Sequence, residues 1–485
     1  MNRGSLWRLL LLLAIYVVAL PSLCVWAFLL VDVSADFDLN SFVKLLWWVA
    51  MVLPVLGALN ILVLRTRRVM SRFTADGVSP ATTGVLRWLG WALIGVLWFT
   101  GVLVLAVAAF AAFLAISQPG APGPFYTAPS ALPSDPPGTV IRSEPLDGAP
   151  EGAVAWKILY LSTSHTDEPT AVSATLVVPT TPAPAGGRPV VAFAHGTVGV
   201  ARNCAPSLRS YWADDIDGLN AFLEAGYAVV ATDYEGMGTS GTHPYLVGKS
   251  AAMNVLDSVR AAHNFSDADA GTDYVVWGYS QGGHASLFTG EFTASYAPEL
   301  KLVGVAAGAP PTDLRTLFER DLGTTFGNVL GAYAFASWSK VYENAELDQV
   351  IRGVALPVVK NTAKLCIREE EEAAAILPGS IFMKITFLSN HPPDTEPWKS
   401  LFVENSPGRS LIPAPILIVQ GEEDELVHPD VTEAFADSLC AEGHEVEFRT
   451  YPDVHHVTAV PVVTPDVVAW IVDRFAGVPA PNTCS

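Results

Sequence analysis

The chain has 485 residues, enough for one large domain or two ordinary ones, and 51% of them are hydrophobic, a high share for a purely soluble protein. Lys and Arg number 28 against 48 Asp and Glu, a formal net charge of −20. That balance excludes a nucleic-acid partner, which requires clustered cations.

The apolar excess is concentrated at the N-terminal end. Segments 6–31, 42–64 and 85–116 each reach the ~20 residues that cross a bilayer as a helix, and they carry almost no internal charge. They predict three transmembrane helices in an anchor formed by residues 1–117. The first segment is longer than the about 7–15-residue apolar core of a signal peptide and two more follow it, so the anchor is expected to stay uncleaved. Arg65, Arg67, Arg68, Arg72 and Arg87 cluster between the second and third segments, whereas Asp32, Asp36 and Asp38 follow the first. The cationic loop then belongs in the cytoplasm. A membrane-embedded, multi-pass protein of the cell membrane follows, with the rest of the chain extracytoplasmic. Outside the anchor, Cys204, Cys366, Cys440 and Cys484 form an even set in a compartment that permits disulfides, and four cysteines allow three pairings.

Residues 118–150 are dense in Pro and Gly (PGAPGPF, SDPPG) and predict an exposed connector that runs into the start of the next domain. Over 151–485, apolar runs alternate with helix-compatible stretches such as 219–225 and 251–263. The runs are AVAWKILYL, AVSATLVVP, PVVAFAHG, YAVVATDY, YVVWGYS, LVGVAAGAP and PILIVQG. This pattern predicts an α/β fold with a mostly parallel central sheet covered on both faces. Between the last two runs, about 311–413, lies far more chain than a crossover helix needs, so an inserted helical cap is expected. Its EEEEAAA run at 369–375 reads as a solvated helix face.

The stretch GYSQGG at 278–283 stands between the strand-like DYVVW and a helical stretch, 281–289. G-x-S-x-G in that context is a nucleophile elbow: Gly278 and Gly282 permit close backbone contacts around a strained turn, and the Ser280 hydroxyl projects above the sheet at a helix N-terminus. A serine hydroxyl attacks only when a base takes its proton and an acid orients that base. Downstream, PILIVQG runs into EEDELV and VEFRTYP into DVHHVTAV, which supplies the acid and the base in the order this fold uses. The order of elements favours Asp424 among Glu422, Glu423 and Glu425, and the base is His455 or His456. A metal site at that histidine pair is the weaker reading, because no Cys or acid lies nearby at ligand spacing; no cofactor is called for. For the oxyanion hole, one backbone donor is Gln281, just after the nucleophile, and the leading second donor is Thr197 in HGTVG. His195 and His284 read as structural.

In order along the chain, PFY, PGTVIRSEPL, HGTVG with NCAPS, TDYEGMGT, GYSQGG, the D-x-x-V of DELV and YPDVHHV resemble the secretory lipase family of α/β-hydrolases, a group common in actinobacteria, over about residues 123–484. The resemblance implies an α/β-hydrolase fold with Ser280 as nucleophile, Asp424 as orienter and His456 as base. It also implies disulfides Cys204–Cys366 and Cys440–Cys484. The expected activity is hydrolysis of carboxylic esters, with a lipid or small ester as substrate. An acyltransferase, in which an alcohol replaces water, would use the same residues; a non-catalytic binding domain is disfavoured by the complete set. The three N-terminal spans depart from this family, whose members carry a cleaved signal peptide.

Overall fold

The computed structural model describes residues 118–368 and 370–484. The three spans expected before residue 117 lie outside the described residues; among those described, no helix is long and apolar enough to cross a membrane.

Nine strands form one sheet in the order β1-β2-β3-β5-β4-β6-β7-β8-β9. They are β1 (Val140–Pro145), β2 (Ala153–Thr163), β3 (Pro169–Pro179), β4 (Arg188–Ala194), β5 (Ala228–Thr232), β6 (Ala270–Tyr279), β7 (Lys301–Gly308), β8 (Ile416–Gly421) and β9 (Val446–Tyr451). From β5 onward every neighbouring pair is parallel, whereas β1, β2 and β3 join antiparallel. The antiparallel flank arises because β2 and β3 are linked by a tight turn at Ser164–Glu168, too short for a crossover helix. The sheet is thus mostly parallel, as expected, with a hairpin edge. The stretch expected as an exposed connector is partly built in: Phe125 and Tyr126 are buried, the Tyr126 hydroxyl lies 2.9 Å from Ser207 Oγ, and 140–145 is strand β1.

Period-two alternation sends successive residues of β4 to opposite faces. Val190, Ala192 and Ala194 pack under helices α2 (Gly248–Asn264), α3 (Gln281–Tyr296) and α9 (Pro429–Ala441). Val191 and Phe193 pack under α1 (Leu219–Glu224) and α10 (Val460–Phe475). Both faces are therefore apolar, which explains the near-continuous hydrophobic runs of the central strands.

Between β7 and β8 the chain inserts a group of helices, called the cap below: α4 (Leu314–Asp321), α5 (Thr325–Val341), α6 (Leu356–Thr362), α7 (Glu370–Thr386) and α8 (Trp398–Glu404). It has its own core, in which the rings of Phe335 and Trp398 meet edge to face at 5.2 Å beside Trp338 and Phe402. One expectation fails here. Glu372 of the acidic run is only 2% exposed, and both its carboxylate oxygens accept from Arg209 Nη2 at 3.0 Å. A fixed cation from the region after β4 draws this carboxylate inward, so Glu372 does not lie on a solvated face.

Two disulfides tie the structure, with the pairing the family resemblance implied. Cys204–Cys366 joins the loop after β4 to the cap, and Cys440–Cys484 joins α9 to the C-terminal segment. Closing loops of 162 and 44 residues restricts the unfolded chain by about 5 and about 4 kcal/mol in the chain-entropy treatment. The C-terminal segment runs beside the outer edge of β9, where Thr483 donates to Val446 O and its hydroxyl accepts from Phe448 N.

Candidate active site

The turn from β6 into α3 carries Ser280 in a backbone conformation, φ 56° and ψ −118°, that non-glycine residues rarely adopt. Sterics hold it there. A Cβ on Gly278 or Gly282 would run into the carbonyl oxygen of Ala194 at the end of β4, so only glycine lets the two strand ends and the helix approach this closely. Ser280 N donates to Gly308 O at 2.8 Å and Ser280 O accepts from His284 N at 3.0 Å, which fixes the residue between β7 and the first turn of α3.

Three of the expected residues meet. His456 Nε2 lies 3.0 Å from Ser280 Oγ, and His456 Nδ1 lies 2.7 Å from Asp424 Oδ2. A carboxylate only accepts, so the proton of the imidazole sits on Nδ1 and leaves Nε2 as the acceptor for the serine hydroxyl. Asp424 is buried at 3% exposure, and its other oxygen accepts from Leu426 N at 2.9 Å and Val427 N at 2.8 Å. These donors close the D-x-x-V turn around the carboxylate and stabilise its charge. By contrast Glu422, Glu423 and Glu425 are exposed. The neighbouring histidines also separate: His455 is exposed and points toward Glu425 at 3.4 Å.

The expected oxyanion donors follow the ends of two neighbouring strands, Gln281 after β6 and Thr197 after β4. Gln281 is the first residue of α3, where backbone N–H groups have no intrahelical acceptor. Thr197 lies just beyond β4, with its hydroxyl 2.8 Å from the Tyr245 hydroxyl. His195 and His284 are buried and occupied by main-chain carbonyls, His195 Nδ1 at 2.7 Å from Gly196 O and His284 Nε2 at 2.8 Å from Asn405 O. Burial pushes each imidazole down to about 4, which keeps both neutral near pH 7.

Two supporting residues escaped the sequence reading. Gln420, at the end of β8, donates from Nε2 to Asp424 Oδ2 at 3.1 Å and to Val427 O at 2.9 Å, while its own carbonyl accepts from Thr432 at 2.9 Å. A polar residue ending the apolar run ILIV was the available signal. Tyr279 donates to His456 O at 3.0 Å, and its ring packs 5.2 Å from the imidazole. Among the described residues no cluster of His, Cys, Asp and Glu has the arrangement of a metal site.

A family profile described as secretory lipase matches residues 213–483. A Mycobacterium tuberculosis protein named a probable inactive lipase is 30% identical over 375 residues, covering 73% of this chain and 82% of that protein. Lipase A of Moesziomyces aphidis is 27% identical, covering 69% and 76%. Among solved structures, Candida antarctica lipase A superposes with a TM-score of 0.62 at 23% identity, over 75% of this chain and 87% of that one. The rice cell wall degrading esterase LipA of Xanthomonas oryzae superposes at 0.59 with 20% identity, over 70% and 98%. At such identities the structural likeness speaks for the fold, whereas the profile and the sequence relatives speak for the family. The chain belongs to the secretory lipase family and is a lipase-type serine ester hydrolase.

Proposed function

We propose that Ser280, His456 and Asp424 perform the hydrolysis as nucleophile, base and orienting acid. The observation that carries this reading is the unbroken chain of short contacts from Asp424 through His456 to Ser280, 2.7 and 3.0 Å. His456 Nε2 takes the hydroxyl proton as Ser280 Oγ bonds to the ester carbonyl carbon, and the carbonyl electron pair moves onto oxygen. Backbone N–H groups of Gln281 and Thr197 stabilise that oxyanion. Collapse expels the alcohol, which takes the proton from His456. Water then attacks the acyl-enzyme with the same base and releases the acid and free Ser280.

The substrate is a lipid ester with a long acyl chain. On cap helix α7, Leu377, Ile381 and Ile385 recur every four residues at 47%, 63% and 80% exposure, joined by Phe382 on the same helix, an apolar face suited to an aggregated lipid phase. The hydrolase domain is extracytoplasmic, held to the cell membrane by the three spans read from residues 6–116. The two disulfides and the Arg-rich loop at 65–87 support that placement.

The test is fluorophosphonate labelling with p-nitrophenyl esters of increasing chain length. Ser280→Ala should lose labelling and on the order of 10⁴-fold in kcat while melting at the wild-type temperature. A Ser280→Ala protein that still labels and turns over would place the nucleophile elsewhere.

A further inference from the structure

A second acid–histidine pair stands against the loop that carries Asp424. Asp321 closes cap helix α4 and is 7% exposed; its Oδ1 lies 3.0 Å from Nε2 of His428. Its main chain is pinned, since Asp321 O accepts from Thr324 N at 3.0 Å and from Thr324 Oγ1 at 2.8 Å. His428 is the residue just before α9, directly after Val427, whose N–H donates to Asp424 and whose carbonyl is held by Gln420. Two residues further, Asp430 takes two 2.7 Å bonds from Arg320. Consecutive cap residues thus grip the segment that leaves the acid turn, and the inner grip is one residue from a donor to Asp424.

We propose that Asp321 and His428 are positioning residues for the hydrolysis: the cap holds the Asp424 turn in register through this pair, and the rate depends on the cap carboxylate being ionised. The proposal rests on the assignment of Asp424 and His456 made above. The charged or titratable groups facing Asp321 are His428 at the start of α9, Asp424 and His456 from the catalytic loops, and on its own helix Arg320, which is engaged by Asp430. Burial pushes Asp321 from its ordinary value up to about 6, with His428 opposing. A raised carboxyl favours the fold in its protonated form, so this contribution is complete below the unfolded value and is lost as pH rises through about 6. The ionised form that grips His428 therefore exists above about 6 at a cost in stability, as expected of a group kept for function.

The experiment measures kcat and KM on p-nitrophenyl butyrate from pH 5 to 9, with melting temperatures and fluorophosphonate labelling, for wild type, Asp321→Asn, His428→Gln, the double variant and Asp321→Glu. The wild-type acid limb of log kcat/KM should be steeper than one proton, and Asp321→Asn should reduce it to one. At pH 8, Asp321→Asn should lower kcat about tenfold with KM within twofold. His428→Gln, at a partly exposed site, should move the acid limb to higher pH, because the imidazole no longer draws Asp321 down. The double variant should be no worse than the worse single one, and Asp321→Glu should recover part of kcat. A wild-type slope and kcat in folded Asp321→Asn, or additive losses in the double variant, overturn the proposal. So does an acid limb that stays in place in His428→Gln, the measurement that decides should Asp321→Asn not fold. Wild type unlabelled at Ser280 overturns the catalytic assignment together with this proposal; labelling with unchanged variants overturns this proposal alone.

Discussion

At the turn between β6 and α3, the geometry is set by atoms a few residues apart in sequence or on the adjoining strand: two glycines against Ala194 O, and one serine in a strained conformation. The cap is placed by partners far away in the chain, Arg209 on Glu372, Cys204 on Cys366, Arg320 on Asp430 and Asp321 on His428. The first region is rigid because there is no room for an alternative. The second is held by a small number of strong, separable ties, so it can be loosened one tie at a time. Site variants should accordingly change turnover and spare the melting temperature, and variants of the cap ties remote from the acid turn, such as Glu372 with Arg209, should do the reverse; Asp321–His428, which abuts that turn, stands between the two.

The largest effect expected is from Asp424→Asn, about 10⁴-fold in kcat with an unchanged melt, since an amide neither selects the Nδ1 tautomer nor stabilises the imidazolium. Glu425→Gln, one residue away and exposed, should stay within twofold, and kcat/KM on one short ester decides. Next comes Gly282→Ala, which blurs the division by touching both quantities. The new Cβ meets Ala194 O, the turn shifts, and we expect about 10²-fold lower kcat with about 1–3 kcal/mol less stability in denaturant titration. Glu372→Ala removes one partner of a buried ion pair and should cost about 3–5 kcal/mol in the same titration, while short-ester kcat/KM at low temperature stays within threefold. A large kcat loss there would show that the cap tie and the site are not separable. The smallest effect is from Ile381→Ser with Ile385→Ser on the exposed face of α7. Stability and short-ester hydrolysis should be unchanged, and hydrolysis of an emulsified long-chain ester should fall several-fold, about 1 kcal/mol of lost apolar contact.

The same contrast explains what was legible in the sequence. G-x-S-x-G between a strand and a helix needs only local chemistry to be read, and the ordered acid and histidine loops follow from where strands end in such a sheet. Asp424 could be preferred to its glutamate neighbours on the order of elements; its burial could not be seen. His456 was separable from His455 only through the family resemblance, since both stand in the same loop and the side that faces Ser280 is a tertiary property. Glu372 was misread because composition describes a run, whereas a cation 163 residues away decides the fate of one member. Asp321–His428 left no trace in the sequence, since neither residue belongs to a motif.

The segment that runs beside β9 has a consequence beyond its own few bonds. An outermost strand presents a row of main-chain groups to any extended polypeptide that comes by, and it becomes a template for association with another molecule. Thr483 occupies part of that row on Val446–Tyr451, and the link from Cys484 to Cys440 keeps it from drifting away. The last residues thus work as a guard against intermolecular strand addition. Selective reduction of this link should raise light scattering before it lowers activity, and activity lost with no scattering would refute the guard.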